Sequence, residues 1–228
     1  MKKYLVVGLL WLAGSACMSQ QTETRSLSAF RSVKVSQAID AYLKKGDKES
    51  VRVEVKDGKV SDVVTEVEGS SLRIKMRDGR GFWNRADVKV YVTYVNMDKI
   101  SASSASSVFS EGPIKTDRLE INVSSAANVE VTVYANSVSV DTSSAGEVIL
   151  EGKSENLEIE ASSAGDVDTY KLESEVAVAR SSSGADIKLS VSKELKAHAS
   201  SGADIRYRGN PAKTNTESSS GGSVKKSN

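Results

Sequence analysis

Residues 162–167 read SSAGDV, and the phrase returns along the chain. SSAANV starts at Ser124, SSAGEV at Ser143, SSGADI at Ser182 and again at Ser200, with looser forms SSASSV at Ser103 and SSGGSV at Ser219. The successive intervals are 21, 19, 19, 20, 18 and 19 residues. Each copy sits between two alternating stretches. Leu119, Val138, Leu157, Val176 and Leu195 recur before the serines, each followed two positions on by Ile121, Val140, Ile159, Val178 and Ala197. After the serines come Val129, Val148, Val167, Ile187 and Ile205. Alternation of this kind is the signature of half-buried strands. A unit of strand, tight bend, strand and looser turn cannot bury its apolar side alone, but stacked copies can. The expectation is an all-β chain, a β-solenoid of about 19 residues per coil, with equivalent strands about 4.8 Å apart along the axis. In that geometry Ser, Ala and Gly mark the sharp corner. Small residues fit it, Gly permits positive φ, and serine hydroxyls bond to nearby backbone. A glycine often closes the repeat, as at Gly112, Gly152 and Gly209.

Composition agrees. Aromatic residues are 5% of 228, so the core must rest on Val, Ile and Ala, which favours strands. Lys and Arg number 31 against 30 Asp and Glu, leaving no basic excess for nucleic acid.

The chain opens MKKYLVVGLLWLAGSAC. Lys2 and Lys3, the apolar run Tyr4 to Ala13 and the small residues before Cys17 read as an export signal over residues 1–16. GSAC at 14–17 is similar to a bacterial lipobox, with Gly14 where Leu is usual, so Cys17 is the expected lipidation site. A plain cut after Ala16 is the alternative. Cys17 is the single cysteine, so no internal disulfide can form. These features predict an exported protein of the cell envelope, a lipoprotein anchored in the outer membrane.

Polar residues 17–29 read as a flexible tether. From Phe30 to residue 98, the runs VKV, IDAYL, VRVEV, LRIKM and VKVYVTY predict less regular strands that cap one end; Val60 to Val67 is ambiguous and could hold a helical turn. The regular repeats span 99–209, and residues 210–228 read as a decaying copy that frays into a tail.

FRSVKVSQAIDAYLKKGDKESVRVE from Phe30, GSSLRIKM and VKVYVTYVNMDKISASSASSVFSEG together resemble the head GIN domain family. The resemblance runs to about Gly209. It implies an all-β, β-helical body on the envelope, carries an adhesin label, and brings no catalytic residues and no cofactor. In SQAID at 36–40, Gln37 and Ala38 stand where the family's phrase carries glycine.

His198 is the single histidine, in a strand-like KAHAS phrase, and is a poor base for a serine nucleophile. One His and one Cys cannot build a usual zinc site. Glu147, Asp166, Asp186 and Asp204 fall at one place in successive repeats, a calcium ladder in principle, but each ion would need several oxygens. The loop GRGFWNRAD offers Arg80, Phe82, Trp83 and Arg85 either as contacts to a partner or as a cover for the solenoid end. The expected function is a non-enzymatic envelope module, an adhesin or surface-interaction domain whose partner is a surface glycan or protein. The alternatives are a glycan-processing enzyme on a β-helix and a periplasm-facing structural or stress lipoprotein.

Overall fold

A computed structural model of the protein describes residues 20–77 and 87–227. The strands in chain order are β1 (Gln21–Ser26), β2 (Ser32–Ser36), β3 (Asp40–Lys45), β4 (Ser50–Lys56), β5 (Val63–Glu68), β6 (Ser71–Met76), β7 (Asp87–Tyr94), β8 (Lys99–Ser103) and β9 (Ser107–Ser110). There follow β10 (Ile114–Val123), β11 (Asn128–Thr142), β12 (Glu147–Ala161), β13 (Asp166–Ser181), β14 (Asp186–Ala199), β15 (Asp204–Arg208), β16 (Lys213–Ser218) and β17 (Ser223–Lys226). They form a β-solenoid of about seven turns and about 19 residues per turn. From β8 onward the chain winds in one direction, and like strands pair parallel from coil to coil.

The serine phrase is a β-turn. In each copy the residue after the small one or two donates its N–H back to the first serine, as from Ala127 to Ser124 at 3.2 Å and from Gly165 to Ser162 at 3.0 Å. Both central residues have positive φ, for example Ser125 at 55° and Ala126 at 57°, the signature of a type I′ turn. The αL region costs a non-glycine residue about 1–2 kcal/mol. Stacking offsets this. Ala126 donates to the Ser144 carbonyl, Ala145 to Ser163, Ala164 to Ser183 and Gly184 to Ser201, at 3.0–3.2 Å. The turn peptides thus form a hydrogen-bonded ladder of their own. The fourth turn residue points into the corner: Ala127, Ala185 and Ala203 are buried there. At Gly146 an added Cβ would lie 2.8 Å from Thr142 Oγ1.

The core consists of aligned columns. On one face Val90, Ala41, Val108, Val129, Val148, Val167, Ile187, Ile205 and Val224 lie in register. On the other run Leu72, Val33, Ile100, Ile121, Val140, Ile159, Ala179, Ala197 and Thr216. Each fully buried aliphatic side chain contributes about 1.5–3 kcal/mol.

The structure departs from the sequence reading in four places. First, the segment expected to be a tether is half strand: β1 pairs antiparallel with β4 from Gln21↔Val55 to Ser26↔Ser50. Its side chains are polar and exposed, so hydrophobic pattern could not reveal it. Arg25 clasps it, donating to the Val63 carbonyl at 2.8 Å, Thr65 Oγ1 at 2.9 Å and the Val60 carbonyl at 2.9 Å.

Second, the N-terminal strands are not all a cap. β2 and β3 form a coil, seated between β6 and β7 on one side and β8 and β9 on the other. Its corner is Gln37 and Ala38, with φ of 65° and 54°, which is why glycine suits that phrase. Gln37 Oε1 accepts from the Met76 N–H at 2.8 Å. The cap proper is β1, β4 and β5, all antiparallel. The ambiguous stretch holds a short 3-10 turn at Val60–Asp62 and then β5.

Third, the fourth repeat is one residue out of the sequence column. Leu157 pairs with Ala177, not Val176, and Ile159 with Ala179. A bulge between Ile149 and Glu151 shifts the register, so Ala177 and Ala179 face in and Val176 and Val178 are half-buried. Fourth, residues 210–228 do not fray at once: β16 and β17 complete another coil. Its inward positions are polar: Thr214, Thr216 and Ser218 fall under Leu195, Ala197 and Ala199.

Candidate interaction surface

Outward positions are free of the packing rule, and one outward column differs from the rest. It runs Tyr91, Tyr42, Phe109, Glu130, Ile149, Asp168, Lys188, Arg206 and Lys225. At the cap end it is aromatic. The Tyr42 and Tyr91 rings stack at 5.2 Å and 19°, and Tyr42 and Phe109 at 5.4 Å and 24°. Arg52, on β4, lays its guanidinium 4.1 Å from the Tyr91 centroid. The stack joins the antiparallel cap to the parallel coils. Aromatic pairs contribute about 0.5–1.5 kcal/mol beyond area and cation–π contacts about 0.5–1 at exposed sites. Burial raises the Tyr42 hydroxyl pKa, with the nearby Asp40 charge adding to it. All three rings are half-buried on an outer face.

Two grooves flank the stack. One, of about 330 Å³, is lined by Tyr42, Tyr91, Arg52, Lys44, Glu111 and Thr24 among others. The second, about 220 Å³, runs between Tyr91, Lys89, Asp87, Glu54, Lys56 and Gln20. The rim charges are matched: Arg52 pairs with Glu54, and Lys44 lies 4.0 Å from Glu111.

The expected contact residues Arg80, Phe82, Trp83 and Arg85 and the expected lipidation site Cys17 lie outside the described residues. The acidic ladder is a real column: Asn128, Glu147, Asp166, Asp186 and Asp204 are in register. Among the described residues, however, no three His, Cys, Asp or Glu side chains converge to hold a metal ion. Cations stand in the adjacent outward column. Lys188 Nζ lies 3.6 Å from Asp168, and Arg206 pairs with Asp204 at 3.4 Å. Asp166 and Asn128 each keep one buried oxygen without a hydrogen-bond partner. Desolvation by burial raises the Asp166 pKa; Lys188 opposes this, while Asp186 and Asp168 add to it.

His198 points outward from β14, its Nδ1 3.6 Å from Glu217 Oε2. It lines an open groove of about 220 Å³ with Asp141, Glu160, Arg180 and Ser200. No serine hydroxyl among the described residues is hydrogen-bonded to it, so the parts of a nucleophilic relay are not assembled there.

The aromatic column escaped the sequence reading, although its signal was present. In IDAYL, VKVYVTY and SVFSE the rings occupy outward positions of the alternation. What joins them is the coil order, which sets β3 between β7 and β9.

The fold has known counterparts. A Bacteroides fragilis protein described as a putative adhesin superposes with a TM-score of 0.86 at 19% identity, covering 92% of this chain and 97% of that one. A Parabacteroides merdae protein described likewise gives 0.75 at 14% identity, covering 92% and 96%. A Parabacteroides distasonis protein described as a putative lipid binding protein gives 0.73 at 19% identity, covering 92% and 97%. Comparison with curated proteins gave no match. The family described as "Putative auto-transporter adhesin, head GIN domain" matches residues 29–211. With that match spanning most of its length, the chain belongs to the head GIN domain family.

Proposed function

We propose that the chain is a non-enzymatic adhesin of the cell envelope, exported, held in the outer membrane by lipid on Cys17, and turned toward a partner outside the cell. The observation that carries this reading is the outward aromatic column Tyr91, Tyr42 and Phe109 with Arg52 over its end. Tyr and Arg on a rigid face, with water-excluding surroundings, are the residues that dominate recognition surfaces. The loop with Arg80, Phe82, Trp83 and Arg85 is a second contact in this reading. Lipid binding, the description given to one structural neighbour, is not adopted. The core columns are filled by side chains, and the grooves beside the stack are open and lined by charged and hydroxyl groups.

Protease treatment of intact cells tests the placement. Digestion of the native chain without lysis is expected; protection until lysis removes the adhesin reading. The Cys17→Ala chain is expected in the soluble fraction, and unchanged membrane association would refute the anchor.

A further inference from the structure

Resting on the adhesin reading, we infer that the 330 Å³ groove beside the aromatic stack takes a neutral glycan. Three observations select that chemistry. The strands that carry Arg52 and the two rings have both backbone edges used: β4 lies between β1 and β7, β7 between β4 and β3, and β3 between β7 and β9, while β1, which brings Thr24, pairs with β4 on one edge. An extended peptide therefore cannot add as a strand beside the rings, and side chains recognise the ligand there. The rim cations are answered by acids, Arg52 by Glu54 and Lys44 by Glu111. This leaves no net positive field to hold a polyanion. What the groove does present is aromatic carbon from Tyr42 and Tyr91 beside hydroxyls, an ammonium and a carboxylate from Thr24, Lys44 and Glu111. A pyranose has the matching pattern, with C–H faces for the rings and ring hydroxyls that both donate and accept. The volume lies at the small end of the usual ligand range of about 300–1,000 Å³, which suits a short stretch of a longer chain passing across an open face.

The test is electrophoresis of the mature chain through native gels containing xyloglucan, galactomannan or mixed-linkage β-glucan, with heparin as the polyanion. At least a twofold drop in relative mobility is expected with one of the neutral polysaccharides and none with heparin. The Lys44→Ala/Glu111→Ala double variant removes groove groups outside the aromatic stack. It is expected to lose the retardation at unchanged melting temperature. Tyr134→Ala, at an exposed tyrosine away from the groove, is expected to keep it. Retardation by none of the neutral gels, by heparin alone, or equally by the double variant overturns the glycan assignment. Adherence of whole cells separates the two levels. Cells that adhere through the native chain but not through Tyr42→Ala, with no glycan retardation, would leave the adhesin standing and the glycan refuted. Absence of both would refute both.

Discussion

Gly112, Gly152 and Gly209 look equivalent in sequence, each closing a repeat, yet the structure makes very different demands on them. Gly152 has φ of +116°, and a Cβ there would lie 2.1 Å from the Val133 carbonyl oxygen of the preceding coil. That acceptor is backbone and cannot swing aside. Gly112 has no heavy atom within 4 Å of a built Cβ and lies outside the positive-φ region. For Gly152→Ala the backbone strain is about 1–3 kcal/mol. Forcing two tightly paired coils apart adds an overpacking cost of about 1–3 kcal/mol. The expected loss is therefore about 2–6 kcal/mol. For a chain of this size each kcal/mol moves Tm by about 2–4 °C, so Gly152→Ala should melt about 4–24 °C below the native protein. Gly112→Ala should stay within about 0.5 kcal/mol, as surface changes do. Thermal unfolding followed by far-UV circular dichroism reads both. Equal Tm values for the two variants would refute the argument that coil-to-coil carbonyl contact, rather than mere turn flexibility, keeps glycine at 152.

Gly209→Ala meets a similar obstruction, 2.0 Å from the Val191 carbonyl at φ +105°. It sits near the end of the stack, so it should expose β16 and β17 to amide exchange more than it lowers the main transition. Asp166→Asn should raise Tm at pH 7. Burial lifts this carboxyl's folded pKa above its unfolded value, so its contribution to stability falls as pH rises through the window between them; the gain should vanish well below the ordinary value of 3.8, and a Tm unchanged at pH 7 would contradict it. Glu120→Gln should act oppositely. Lys99, then Asn122, hold this pKa down by hydrogen bonds, so the native carboxylate stabilises above its unfolded pKa and loses that as pH falls, by at most about 1 kcal/mol for so exposed a pair. Arg25→Ala should strip exchange protection from residues 21–26 and leave β10 to β14 protected; retained protection would show that the clasp on Val60, Val63 and Thr65 is dispensable.

The parts of this fold that repeat were readable, and the parts set by coil order were not. Val129, Val148, Val167, Ile187 and Ile205 were aligned by their spacing from the serines and are aligned in the structure. The turn between is short and its geometry leaves no slack, so counting from it works. Counting through the longer arm fails when a bulge intervenes. The 20-residue interval after Ser162 holds one extra residue, and nothing local says on which side of Val176 it falls. The β1 strand was invisible for another reason: QTETRS has no apolar face, and backbone pairing plus one arginine secures it.

The same distinction explains where recognition can reside. Inward columns are fixed by packing, and the serine corners by φ and by their ladder of peptide bonds. Only outward columns can change identity from coil to coil without cost to the fold. Along the mid-solenoid that freedom is spent on charge: Asp168 is followed in successive coils by Lys188, Arg206 and Lys225, with Lys188 beside Asp168 and Arg206 beside Asp204 of the neighbouring acidic column. At the cap end it is spent on rings. Stacked aromatics there stiffen the join between antiparallel and parallel strands, and a stiff join is what a binding face needs, since little ordering remains to oppose association. On the proposed function, stability and recognition draw on the same side chain at Tyr42. Tyr42→Ala should cost both, whereas Lys44→Ala/Glu111→Ala should cost recognition alone.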